Sequence, residues 1–95
     1  MPPLSPRLKQ RIRRDYGPGS DAVISLLTRY VAGLPNADLQ DAERLQAAPV
    51  LVAAGDVDAL RRALELGLID WRDLLVTAGL ADGDWPQVLD RELPA

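Results

Sequence analysis

Three short stretches decide the fold: Asp56-Val57-Asp58-Ala59-Leu60, Asp70-Trp71-Arg72-Asp73-Leu74 and Asp84-Trp85-Pro86-Gln87-Val88, each beginning 14 residues after the one before. Aspartate is a favoured helix cap because its carboxylate accepts from backbone N–H groups that the first turn leaves unpaired. Gln87 stands three residues after Asp84, where a capping box wants Glu or Gln. Gly67 and Gly79 supply two stops. The pattern predicts three short helices of about 8–11 residues, too short to be stable without tertiary packing. The 14-residue beat is too short and too degenerate for a solenoid.

The same punctuation continues toward the N-terminus. Ser5, followed by Pro6, opens a helix that Gly17-Pro18-Gly19 ends. Its apolar stripe, Leu4, Leu8, Ile12 and Tyr16, repeats every four residues. Ser20 is expected to cap a second helix running to about Ala32, with Gly33 as its stop. On a helical wheel Val23, Ile24, Leu26, Leu27, Tyr30, Val31 and Leu34 span an arc of about 160°, wide enough for a central helix touching several others. Asp38 is expected to cap a third helix reaching about Ala54 and closed by Gly55, with Pro49 kinking or splitting it near Ala48. No stretch alternates convincingly with period two; Ala47 to Ala54 is the best strand candidate, and its alanines and helical flanks argue against it.

These features predict an all-α, compact single-domain bundle of five to six short helices, irregular rather than coiled-coil-like. It would span residues 1–95, with a flexible tail over 1–5, a basic helix over 6–16 and a helical core over 20–93. The second helix is expected at the centre, with the kinked third helix as the other main wall and Leu27 and Leu74 among the most deeply buried side chains. Hydrophobic residues make up 47% of the chain and Phe is absent, so the core must be mainly Leu, Ala and Val, which favours helix over strand.

Composition also narrows function. Without Cys there is no disulfide or thiolate metal site, and without His the commonest zinc ligand and general base are missing. The serine and threonine hydroxyls have no triad-like base, and Gly17-Pro18-Gly19-Ser20 lacks the lysine of a phosphate loop. Counting a calcium loop from Asp82 puts Gln87 and Leu93 where Gly and Glu belong. The expectation is therefore a non-enzyme with no cofactor and no metal. No apolar run reaches the length of a membrane span, and Met1 to Pro6 lacks the apolar region of a signal peptide, so the default expectation is a cytoplasmic protein.

Charge is unevenly placed. The net charge is −3, yet residues 7–14 carry Arg7, Lys9, Arg11, Arg13 and Arg14 with no acid. One reading is an amphipathic helix whose stripe docks on the domain while its arginines face water or acidic neighbours. A second is a partner-protein site centred on Arg7, Arg11 and Arg14, which project to one side of the helix while Lys9 and Arg13 project to the other. A third is a phosphate-tracking surface on nucleic acid, disfavoured because no other basic run reinforces it and the remainder is strongly acidic. Residues 74–89 have helix-turn-helix spacing, but Asp82, Asp84 and Pro86 at the start of its second helix would repel DNA and offer few donors. Trp71 and Trp85 each follow a capping Asp. They either fill the gap between short helices or anchor a partner, and Trp85 is the better anchor candidate.

Glu43-Arg44-Leu45-Gln46-Ala47-Ala48, Gly55-Asp56, Asp70-Trp71-Arg72-Asp73-Leu74-Leu75-Val76-Thr77-Ala78-Gly79-Leu80-Ala81 and Asp84-Trp85 together resemble a set of small uncharacterised bacterial all-α proteins. The resemblance covers roughly residues 43–90 and implies a compact helical domain in a bacterium, with no activity attached. The functional expectation is a protein–protein interaction or regulatory module, a homodimer included, with contact through the first helix or an exposed stretch of the second. The alternative is a nucleic-acid-associated regulator using the basic helix.

Overall fold

A computed structural model describes residues 4–34 and 41–94. They form one all-α bundle: α1 (Pro6–Tyr16), a 3-10 turn (Gly17–Gly19), α2 (Ser20–Ala32), α3 (Ala42–Ala53), α4 (Val57–Ile69), α5 (Trp71–Ala78) and α6 (Trp85–Glu92). No strand occurs among the described residues.

The centre of the bundle is α3, not α2. It packs against all five other helices, and Leu45 through Val50 are buried without interruption, followed by Ala53. Ala47 and Ala48 explain this placement: small side chains let neighbours approach on several sides at once. Pro49 does not split the helix, which continues to Ala53. Its ring is fully buried, and that packing offsets the backbone bond an interior proline forfeits. The wide arc of α2 is only partly used, with Val23, Leu27, Tyr30 and Val31 buried and Ile24 and Leu26 half-exposed at its edges. Leu27 and Leu74 are both fully buried, as expected.

Several caps differ from expectation. Ser20 is the first residue of α2 rather than its cap, and its hydroxyl donates to the Gly17 carbonyl at 2.5 Å. Asp38 lies outside the described residues; α3 is capped by Asp41, whose carboxylate accepts from the Arg44 N–H at 3.0 Å. Ala54, not Gly55, ends α3 in the left-handed conformation. Asp56 and Asp70 cap α4 and α5 through side-chain bonds. Asp84 occupies the cap position of α6 without one, so no capping box forms there. Pro86 at the second helical position already removes one of the donors such a cap would serve.

Gly67 is not a stop. It lies inside α4, where a Cβ would collide with the Tyr30 hydroxyl and lie 2.7 Å from Cε1 and Cζ of that ring. The glycine is there so that α2 and α4 can meet through a tyrosine. Consequently α4 runs 13 residues, longer than the Gly stop implied, and Asp70 alone separates it from α5. Gly79 does act as a stop: φ is +77°, and the Leu80 N–H closes a bond to the Leu75 carbonyl at 2.9 Å. Helix α6 rests on α3, with little contact to α5, so the helix-turn-helix spacing does not produce that motif. Leu4 is buried and Ser5 caps α1, so the packed domain begins before residue 6; residues 1–3 of the expected tail lie outside the described chain.

Candidate interaction surface

The basic helix uses two of its arginines internally. Leu8 and Ile12 are fully buried, which turns Arg7 and Arg11 toward the junctions of α1 with α3 and α6. The Arg7 guanidinium donates to both carboxylate oxygens of Glu43, at 2.5 and 2.9 Å, and to Asp90 at 2.6 Å. Ser5 Oγ donates to the same Glu43 carboxylate at 2.5 Å. The Arg7 guanidinium holds the Glu43 carboxyl below its ordinary value; burial opposes this and the Ser5 hydroxyl assists. Arg7 itself is raised, chiefly by its bonds to Glu43 and Asp90. Arg11, only 9% exposed, donates to Asp15 at 2.7 Å and to the Glu92 carbonyl at 2.8 Å. The second bond supplies a cation to the carbonyl end of α6. Of the sequence candidates on α1, only Arg14 stays largely exposed, its guanidinium 3.5 Å from Asp15. A phosphate track would be left with Lys9, Arg13 and Arg14.

Trp85, the fourth candidate, is half-buried against the core, and the Arg44 guanidinium lies 5.2 Å from its ring centroid. Arg44 also donates to the carbonyls of Leu80 and Ala81, at 2.8 and 3.3 Å. The indole and the guanidinium together fasten the loop before α6 to α3. Trp71 is half-buried as well, with Arg72 at 5.2 Å from its ring. The structure therefore does not bring Arg7, Arg11, Arg14 and Trp85 together into one open surface.

An apolar groove opens elsewhere, between α2 and α4. Leu26, Tyr30, Leu64 and Leu68 line a cleft of about 410 Å³, and Arg29, Arg61 and Glu65 border it. Burial pushes the Tyr30 phenol up to about 12, so it stays neutral and acts as wall rather than as acid or base. Leu68 is 55% exposed, and its neighbour Ile69, at 84%, is the most exposed large aliphatic side chain among the described residues. Arg29, Arg61 and Glu65 make no ion pair among the described residues.

Reading Gly67 as a stop removed Leu68 and Ile69 from the helix and hid this face. The available signal was the run Leu64-Glu65-Leu66-Gly67-Leu68-Ile69, in which apolar residues occur on every side of a helix that has only one side to bury.

Among the described residues no group of three or more acidic side chains is placed to hold a metal ion, and no helix is long and apolar enough to cross a membrane. Comparison of the chain with protein-family models, with curated proteins and with solved structures gives no match.

Proposed function

We propose that this protein is a protein-interaction module that receives an amphipathic helix of another polypeptide in the groove between α2 and α4. The observation that carries the reading is the exposure of Leu68 and Ile69 beside that groove, while most large aliphatic side chains of the described chain are buried. Burying a Leu or Ile side chain contributes about 1.5–3 kcal/mol, so two such residues at a cleft mouth favour association. Arg29, Arg61 and Glu65 at the rim would orient the incoming helix and set its partner preference.

The test is paired affinity capture from an extract of the protein's own cell, using the wild type, Leu68→Asp and Ile69→Asp. Both positions are exposed, so both variants are expected to fold, and a urea melt of each checks it. A partner held by the wild type and lost by both variants supports the reading. Retention by both variants, with loss on Arg14→Ala and at high salt, would instead favour the basic helix and a nucleic-acid partner.

A further inference from the structure

The outer face of α4 carries a second regularity. Val57, Arg61, Glu65 and Ile69 stand four residues apart, on one ridge of the helix, and all four are exposed. Read in either direction the ridge runs apolar, charged, oppositely charged, apolar. Arg61 precedes Glu65, the weaker order for a pair within one helix, and no ion pair forms between them.

From this palindrome we infer that the groove's partner is a second copy of the chain, docked with the two α4 helices antiparallel about a two-fold axis level with Ala63. In a two-fold contact, residue i meets residue j and j meets i. With the axis at that level, Arg61 faces the second copy's Glu65, and Val57 faces the second copy's Ile69. Each charge finds its opposite, and the two exposed aliphatic ends cover each other. Shifting the helices by one turn places Arg61 against Arg61 or Glu65 against Glu65, so the charges fix the register as well as the partner. The inference rests on the interaction reading and names its occupant.

The ridge is about 18 Å long. Its face alone falls short of the roughly 800 Å² per partner of a standard interface, so the expected dimer is reversible, with a micromolar dissociation constant.

Sedimentation of the full chain over a concentration series tests this. The wild type is expected to dimerise. Arg61→Glu and Glu65→Arg each place like charges at both symmetry-related contacts, and each is expected to raise the dissociation constant about tenfold or more. Mixed in equal amounts, the two variants are expected to associate again, because every reversed charge then meets an opposite one. A wild type that stays monomeric to millimolar concentration overturns the inference, and so does a dimer weakened by neither reversal. Either result leaves the interaction reading standing if Leu68→Asp and Ile69→Asp still abolish capture of a different protein.

Discussion

Arg11 has the charge of a surface residue and the burial of a core residue. Its neighbours explain the combination: the Asp15 carboxylate takes one bond, and the Glu92 carbonyl at the end of α6 takes another. Truncation would leave a nearly buried carboxylate and a helix-end carbonyl without their cation. Removing one partner of a buried pair is expensive because the other charge stays behind. Arg11→Ala is therefore expected to lower the unfolding free energy by about 2–4 kcal/mol in a urea melt. Arg14→Ala, at a side chain 63% exposed, should change it by no more than about 0.5 kcal/mol. Equal effects at the two positions would contradict the division of α1 into a docked and an open side. The sequence placed both arginines on the same side of the helix, and that was sound as geometry. What it lacked was the long-range partner, since Glu92 lies 81 residues away.

At the scale of the element, the contact between α2 and α4 depends on one missing side chain. An exposed interior glycine usually gains about 1 kcal/mol on replacement by Ala, from helix propensity. At Gly67 the methyl would meet the Tyr30 ring from which α4 now stands clear. The ring is buried and cannot swing out cheaply, and overpacking of this kind costs about 1–3 kcal/mol. Gly67→Ala is thus expected to destabilise the protein in a thermal melt despite its better propensity; a raised melting temperature would show that the two helices do not meet there. The same glycine marks the boundary of what was legible. Helix starts at Asp56 and Asp70 and the stop at Gly79 were readable, because capping is local chemistry between neighbours in sequence. Gly67 was misread because close approach to Tyr30 is a tertiary fact, and a glycine that ends a helix looks the same as one that admits a ring. The groove was lost with it. The third helix was legible as a wall of the core but not as its centre, for a related reason: its burial comes from small residues and a proline, which carry little weight on a helical wheel.

For the whole molecule, the question is what holds the N-terminal helix to the rest, and the Arg7–Glu43–Asp90 cluster answers it in a way that depends on pH. It joins α1 to the start of α3 and to α6. Asp90, with its side chain 71% exposed, adds little because water and salt screen it. Glu43, with its side chain 21% exposed, matters more, since its ionised form is the one the fold prefers. Its carboxyl is held below the 4.5 expected when unfolded, first by the Arg7 guanidinium. Between 4.5 and the lower folded value, the unfolded chain binds more protons than the folded one. Stability from this group is therefore fully present above 4.5 and is lost as pH falls through the folded value. Arg7 stays charged throughout and adds no pH dependence of its own. Other carboxylates titrate in the same range, so the informative quantity is the difference between the wild type and Glu43→Gln. That difference is expected to be largest near neutral pH and to shrink steadily on acidification below about pH 4.5, as both chains come to hold a neutral group opposite Arg7. Urea melts of the two proteins across this range give it directly. A difference that stays constant to the lowest pH at which both fold would mean that the charge of Glu43 contributes nothing to closing the bundle, and that α1 is held without it.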